Sequence, residues 1–277
     1  MLNWFPGHMN TARREIRKAM SKIDLVIEVL DARIPFSSEN PLVAELRGNR
    51  PCIQILNKAD LADPDITAQW LVHIDARDGV HAMVHQQGQS KLNARLLQKV
   101  RSLVPAKTSG PTMGMILGIP NVGKSTLINA LSGRTIAKTG NKPAVTRLQQ
   151  RVKVGKGLVL WDTPGFLWPR LSPPDCGYRL AVTGAISDRV VESQDIVRFV
   201  IRFLVRNHPD RLLSVYKLTE LPEGELEVLE AIGRRRGCLR KGGVIDLERA
   251  ANVLLRDFNG GGLGRISLEV PADAVEE

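Results

Sequence analysis

The 277-residue sequence predicts an α/β fold, with a doubly wound and mostly parallel sheet followed by a helical C-terminal domain. Short apolar runs alternate with helical segments of ten or more residues, as in parallel sheets. A glycine-rich turn joins one of these runs directly to a helix. After Pro169 the strand-like runs end and the periodicity becomes helical. The pair Pro173-Pro174 marks the boundary, which predicts domains of residues 1–172 and 173–277.

The predicted elements can be placed along the chain. A basic amphipathic helix is predicted from about Met9 to Met20, since apolar residues recur there every three or four positions. Buried strands and the helices between them are predicted at Leu25–Leu30, Cys52–Leu56, Leu92–Val104 (helix), Met113–Leu117 and Ser125–Leu131 (helix). A hairpin is predicted at Val152–Val154 and Leu158–Trp161. Four helices are predicted in the second domain, over about 177–186, 192–207, 223–235 and 246–257.

The charge is unevenly distributed between the two predicted domains. The chain carries a formal net charge of +10, with 24 basic and 12 acidic residues in 1–172 but 15 and 17 in 173–277. This excess favours a polyanionic partner, either nucleic acid or an anionic membrane surface. A generically basic soluble protein remains the alternative on charge alone.

Composition excludes several classes of protein. The longest apolar stretch, near Ile196–Val205, is interrupted by two arginines and is too short to span a membrane, and no secretory signal is present. The three cysteines are far apart and odd in number, which is typical of a reducing compartment. His81 and His85 have helical metal-ligand spacing, but Ala82 replaces the glutamate of a zinc motif. We therefore expect a soluble cytoplasmic protein that acts on an anion.

Residues 118–125 read Gly-Ile-Pro-Asn-Val-Gly-Lys-Ser and match G-x-x-x-x-G-K-[ST], with a predicted strand before and a helix after. Such a loop points its N–H groups at phosphates, backed by the helix dipole. Lys124 would hold the β- and γ-phosphates, and the Ser125 hydroxyl would ligate Mg²⁺. The candidate nucleotide contacts of this phosphate-binding loop are Asn121, Val122, Gly123, Lys124, Ser125 and Thr126.

Asp162-Thr-Pro-Gly165 follows the strand that ends at Trp161. A carboxylate at Asp162 can reach Mg²⁺, usually through water, and the Gly165 N–H can meet the γ-phosphate. Between this motif and the phosphate-binding loop lies Pro143-Ala-Val-Thr146, whose threonine can supply a second hydroxyl to the metal. The predicted Mg²⁺ ligands are therefore Ser125, Thr146 and Asp162.

Asn57-Lys-Ala-Asp60 follows a buried strand, as a guanine-reading N-K-x-D loop does. The Asp60 carboxylate can accept from both N1–H and the exocyclic amine of guanine, a donor pair that adenine lacks. The Lys58 stem would lie along the base. The predicted nucleotides are therefore GTP and GDP.

The order of these motifs is unusual. N-K-x-D precedes the phosphate-binding loop by about sixty residues, whereas in ordinary GTPases it follows, and no second copy occurs after Gly165. Cutting the sheet at one connection and rejoining it at another leaves the same strand ends facing the nucleotide. The sequence therefore predicts a circularly permuted P-loop GTPase domain.

The chain resembles circularly permuted ribosome-biogenesis GTPases of the YlqF/RbgA type. The resemblance rests on the motifs above and on Trp4–Met9, Asp31-Ala-Arg-Ile-Pro35, Leu180–Ile186 and Arg236-Gly-Cys238. It implies a GTPase that binds the large (50S) ribosomal subunit during late assembly, contacts rRNA through its helical domain and hydrolyses GTP faster on the ribosome. It implies neither a membrane nor a DNA partner. The alternative is an RNA-binding assembly factor that holds GTP structurally with negligible turnover.

Two further residue roles come from the resemblance. Many GTPases place a water-orienting glutamine after D-x-x-G, but Phe166 occupies that position here. In this family the histidine of the F-P-G-H motif is proposed to serve instead, which corresponds to His8. Asn121 resembles the asparagine that helps to bind K⁺ in potassium-activated GTPases. Ala144 departs from the family's usual glycine in the switch loop, and Val84–Gln87 is the candidate loop for guanine O6.

Arginines recur on the predicted second-domain helices, at Arg198, Arg202 and Arg206 and again at 234–236. They could contact rRNA, as the resemblance implies, or form a solvated face paired with the nearby glutamates.

Overall fold

The computed structural model describes residues 14–88, 91–105, 110–133, 150–168, 171–186 and 193–274. At its centre is a six-stranded sheet of order β3-β2-β1-β4-β6-β5. The strands are β1 (Leu25–Asp31), β2 (Cys52–Asn57), β3 (Val80–Val84), β4 (Thr112–Gly118), β5 (Gln150–Val154) and β6 (Leu158–Asp162). All neighbouring pairs are parallel except the β5–β6 hairpin. The predicted doubly wound, mostly parallel sheet is confirmed.

The centre of the sheet is formed by β1 and β4, and the chain changes direction between them. From β1 the sheet grows outward through β2 and β3, whereas from β4 it grows to the other side through β6. Val29 pairs with Gly118 in this register. In such sheets ligands bind beyond the carboxyl ends of the strands, at the point where the strand order reverses. The fold therefore places the phosphate-binding loop, which follows β4, at this reversal.

Helices of the first half cover the sheet. They are α1 (14–19), α2 (Pro35–Ser38), α3 (Pro41–Arg47), α4 (Pro64–Asp75), α5 (Leu92–Leu103) and α6 (Lys124–Ser132). Helix α1 is the described part of the predicted helix over Met9–Met20. Helices α5 and α6 begin and end within one residue of the predictions. Helices α3 and α4 start at prolines, and the preceding Asn40 and Asp63 accept hydrogen bonds from the first-turn amides.

The helical C-terminal part is also confirmed. It contains α7 (Pro174–Val182), α8 (Ser193–Asn207), α9 (Pro209–Tyr216), α10 (Glu225–Arg235) and α11 (Leu247–Asn259). Helix α7 stops before the predicted residue 186 because Gly184 adopts a left-handed conformation (φ 76°) and returns its N–H to the Ala181 carbonyl. Helix α9 was not predicted, since it is a short helix that begins at Pro209 directly after α8.

The segment after α11 turns through Gly260–Gly264 and returns to the first half of the chain. The Ile266 N–H bonds to the Leu61 carbonyl, and the Leu268 N–H bonds to the Arg33 carbonyl. The buried Glu269 carboxylate accepts from the Ser37 N–H at 3.1 Å. The end of the described chain thus packs on the loops that follow β1 and β2. Among the described helices, none combines the length and apolar character that a membrane span requires.

Candidate functional site

Loops that follow four parallel strands meet at one edge of the sheet and surround a cavity of about 730 Å³. The loops after β1, β2, β3 and β4 line this cavity together with residues of α6, the turn after α7 and the last residue of α11. Its lining includes Asn57, Lys58, Asp60, Gln87, Asn121, Gly123, Thr126, Thr183, Gly184 and Asn259. The motifs predicted to read guanine and to hold phosphates, about sixty residues apart in the chain, therefore share one cavity.

The phosphate-binding loop is tightly wound against the neighbouring strand. At Gly118 (φ 148°) a Cβ atom would lie 2.6 Å from the Val29 carbonyl oxygen, so only glycine fits. Lys124 begins α6 and is buried, and its Nζ donates to the Gly118 and Ile119 carbonyls at 2.9 and 2.8 Å. Burial lowers the pKa of this ammonium to about 8, against the attraction of the Asp162 carboxylate. The loop thus holds a desolvated cation next to the helix N-terminus, an arrangement suited to phosphate.

The Asn57–Asp60 loop packs directly on the phosphate-binding loop. Asn57 Nδ2 donates to the Val122 carbonyl at 2.7 Å, and a side chain at Gly123 would collide with this amide. Lys58 has a left-handed backbone (φ 60°), and its Nζ donates to the Asn121 carbonyl and to Asp31 Oδ2, each at 2.9 Å. Hydrogen bonds within the protein therefore hold the two loops together without a contribution from a nucleotide.

Asp60 lines the cavity, and one oxygen of its carboxylate accepts from the Gln87 N–H at 3.3 Å. His85, buried at the end of β3, contacts Asn57 Oδ1 through its Nδ1 at 2.7 Å. Burial lowers the pKa of this imidazole, although the Asp60 carboxylate opposes the shift, and so favours its neutral form. The candidate O6 loop, Val84–Gln87, is thus placed beside Asp60, and His85 contacts the Asn57–Asp60 loop that was predicted to read guanine.

The end of β6 carries an unsatisfied carboxylate. Asp162 is buried, and among the described residues its carboxylate meets no hydrogen-bond donor other than a weak interaction with the Thr163 N–H. Burial raises the pKa of this carboxyl to about 6, although the Lys124 ammonium opposes the increase. A buried carboxylate without a donor is costly unless it is protonated or meets a cation. Its hard oxygen donors fit Mg²⁺, with the Ser125 hydroxyl at the start of α6 as a second candidate ligand.

Gly165 lies against the phosphate-binding loop. A Cβ atom at this position would lie 2.9 Å from the Pro120 Cα and 3.0 Å from Lys124 Nζ. Phe166, next in the chain, is buried, and its carbonyl accepts from Asn40 Nδ2 at 3.0 Å. Its ring therefore cannot position water. His8 and Thr146 lie outside the described residues.

The Asp162 carboxyl predicts a pH-dependent requirement for Mg²⁺. A protonated carboxyl does not hold a cation, so the apparent Mg²⁺ affinity in GTP hydrolysis should increase by roughly tenfold from pH 5 to pH 7.5, as the group ionises near pH 6. Mg²⁺ titrations at several pH values measure this. The phosphates of GTP also bind Mg²⁺ in a pH-dependent way. Asp162→Asn should leave that contribution and remove the rest of the pH dependence. An unchanged pH dependence in that variant would contradict the assignment.

Comparisons with known proteins decide the family. A family model described as "50S ribosome-binding GTPase" matches residues 113–230. Ribosome biogenesis GTPase A of Bacillus pumilus is 44% identical, with 98% of this chain and 99% of the relative covered. The Thermotoga maritima protein of the same name is 30% identical, with 98% and 95% covered. The chain belongs to the ribosome biogenesis GTPase A family.

Solved structures agree with this membership. A YlqF structure from T. maritima described as GNP-bound has a TM-score of 0.68 and 28% identity, and the match covers 94% of this chain and 98% of that one. A GDP-bound YlqF structure has a TM-score of 0.70 at the same identity and covers 94% and 100%. Members of the ribosome biogenesis GTPase A family hydrolyse GTP, so this protein is a GTPase with a P-loop fold. The predicted fold class and enzyme class are confirmed.

Some residues that shape the site were not assigned a role from the sequence. Arg33, Thr183, Gly184 and Asn259 line the cavity. The Asp31-Ala-Arg33 turn follows β1, which lies next to β4 in the sheet. Because ligands bind beyond the carboxyl ends of parallel strands, this turn could have been predicted to line the cavity. Asn259 lies more than two hundred residues from that turn, and no local pattern indicates its position.

Proposed function

We propose that this protein acts in late maturation of the large ribosomal subunit and that contact with the subunit accelerates its GTP hydrolysis. Family membership supports a role in ribosome assembly. The observation that carries the nucleotide assignment is that the N-K-x-D loop and the phosphate-binding loop line one cavity of about 730 Å³, the first through Asn57, Lys58 and Asp60 and the second through Asn121, Gly123 and Thr126. That volume is within the range of pockets for small ligands.

In this proposal GTP lies across the cavity from base to phosphates. Guanine donates to the Asp60 carboxylate, and the Lys58 stem lies along the base. The phosphates meet the backbone N–H groups of 121–126, and Lys124 exchanges its two carbonyl partners for phosphate oxygens. Ser125, Thr146 and Asp162 would hold Mg²⁺, which would supply positive charge to the transferred phosphate. The Gly165 N–H would contact the γ-phosphate.

Hydrolysis requires a group that orients water, and Phe166 cannot provide it. We assign this role to His8 and a supporting K⁺ site to Asn121, whose Nδ2 donates to the Gly184 carbonyl at 2.7 Å. Because His8 precedes the basic first helix, contact between that helix and rRNA would position His8 for catalysis. Slow hydrolysis without the ribosome follows from this arrangement.

Exposed arginines of the C-terminal helices are the proposed rRNA contacts. Arg202 pairs with Glu225 at 2.8 Å, and Arg236 pairs with Asp257 at 2.8 Å, so part of this basic surface is neutralised within the protein. Arg206, Arg234 and Arg235 are also exposed. Surface ion pairs contribute little to stability, about 1 kcal/mol or less, so these guanidinium groups can exchange carboxylates for phosphates at small cost.

The catalytic proposal predicts the behaviour of His8→Ala. In the presence of large ribosomal subunits, GTP turnover should fall by about 10²–10⁴-fold, the usual effect of losing a water-orienting group, while nucleotide affinity is unchanged. His81→Ala, on the edge strand β3, is the matched control and should retain stimulation. Replacing K⁺ with Na⁺ in the same assay should slow the wild-type protein. Normal stimulated turnover by His8→Ala would show that the ribosome supplies the catalytic group.

A further inference from the structure

Hydrogen bonds link the two candidate nucleotide loops to a buried ion cluster. Lys58 Nζ, which donates to the Asn121 carbonyl, also donates to Asp31 Oδ2 at 2.9 Å. The Asp31 carboxylate in turn receives two bonds from the Arg33 guanidinium, from Nε at 2.9 Å and from Nη2 at 2.8 Å. Lys58 and Arg33 therefore share one carboxylate.

Arg33 extends this connection to the C-terminal helices. Its side chain is only 1% exposed, and its Nη1 donates to Asn259 Oδ1, at the end of α11, at 2.9 Å. The guanidinium also lies 5.5 Å from the centre of the Phe258 ring. All three nitrogens of this guanidinium therefore make hydrogen bonds, two within the Asp31 turn and one to a helix more than two hundred residues away.

Asn259 returns the connection to the phosphate-binding loop. Its Nδ2 donates to the Val182 carbonyl at 2.8 Å, at the end of α7. Two residues later, the Gly184 carbonyl accepts from Asn121 Nδ2 at 2.7 Å. The side chains and backbone thus form a closed ring through Asn121, Lys58, Asp31, Arg33, Asn259 and the segment Val182–Gly184.

Charge and burial make this ring resistant to partial opening. Burial alone would raise the pKa of Asp31, but Arg33 and Lys58 hold it well below its usual range. A buried charge that loses one partner is strongly destabilised. Each side chain in the ring is hydrogen-bonded to the next. Displacement of α11 would therefore disturb Lys58 through Arg33 and Asp31, and Asn121 through the segment Val182–Gly184.

We propose that Asn259 and Arg33 are positioning residues for guanine-nucleotide binding, which hold Lys58 and Asn121 in place through this ring. The proposal rests on the assignment of Lys58 and Asn121 to the nucleotide site. Coupling of this kind is reciprocal, so a bound nucleotide also stabilises the position of α7 and α11. The C-terminal helices, which carry the exposed arginines, thereby respond to whether the cavity holds a nucleotide.

A double-mutant cycle tests this coupling. Asn259→Ala should weaken GDP affinity by about fivefold or more, whereas Asn252→Ala, an exposed asparagine on the same helix, should leave it unchanged. In a Lys58→Ala background the effect of Asn259→Ala should shrink towards onefold, because the ring is already open. Equal effects in both backgrounds, or no effect in either, would overturn the proposal. If Lys58→Ala itself leaves GDP affinity unchanged, the assignment of Lys58 to the nucleotide site is wrong, and the positioning proposal that rests on it fails too.

Hydrogen exchange provides a second measurement, which is made on the wild-type protein and so does not depend on whether the Asn259 variant folds. Saturating GDP should slow amide exchange of the wild-type protein in the last turn of α11, residues 255–259, and in 182–186. Unchanged exchange in α11 on GDP binding would overturn the coupling. If Asp60→Asn loses guanine binding while α11 shows no response, the site assignment stands and the positioning proposal alone is wrong.

Discussion

Asp60→Asn is expected to lower GTP affinity by about 100-fold or more and to make xanthine nucleotides the better ligands. The carboxylate can accept from both N–H groups on the guanine edge, but an amide offers one acceptor and one donor, which matches the N1–H and O2 of xanthine. A binding site typically rejects, by several orders of magnitude, a ligand whose donors and acceptors do not match its own. Competition of GTP and XTP for the cavity measures the change.

The control for this substitution is Asp65→Asn, on the exposed first turn of α4. It removes the same charge from a surface outside the cavity and should leave base preference unaltered. Wild-type GTP affinity and continued rejection of XTP by Asp60→Asn would mean that another residue reads the base.

Lys124→Ala is expected to abolish measurable GTP hydrolysis and leave the apo protein nearly as stable as wild type. The ammonium is buried, its pKa is lowered to about 8 by burial, and among the described residues its hydrogen bonds go to the Gly118 and Ile119 carbonyls of its own loop. Removing it loses a phosphate ligand but also relieves an unfavourable desolvation. We expect the free energy of unfolding to change by roughly 1–2 kcal/mol, a Tm shift of a few degrees.

Thermal unfolding and turnover measured on the same preparation separate these effects. Lys153→Ala, an exposed lysine on β5, provides the matched control and should hydrolyse GTP normally. Turnover by Lys124→Ala at the wild-type rate would remove the phosphate-binding role from this residue. A collapse of apo stability would show that the loop is held together by the lysine itself.

The sheet and the meeting of its motifs could be predicted from the sequence because both depend on local patterns. Central strands such as β1 and β2 are buried on both faces and are therefore mostly apolar runs, interrupted within each strand only by Glu28 or Gln54 before the polar residue that ends it. The carboxyl ends of parallel strands share one edge, so motifs after β2, β4 and β6 must meet in any chain order. This is why a circular permutation could be recognised without a structure.

The connection to the C-terminal helices could not be predicted in the same way. Arg33 and Asn259 are 226 positions apart, and Ser37 and Glu269 are 232 apart, so neither pair leaves a periodic signal. A buried arginine in a turn also contradicts the usual expectation that arginine is exposed. The roles of His8 and Thr146 rest on motif position and resemblance, and remain predictions.

GTP turnover with and without large ribosomal subunits is the most direct test of the proposed function. We predict slow hydrolysis by the isolated protein and a large increase when subunits are added, which declines steeply as salt is raised because contacts with rRNA phosphates release counterions. Small ribosomal subunits at the same concentration are the control and should give little stimulation. The same slow rate with and without large subunits, under salt conditions where the protein sediments with them, would contradict the account.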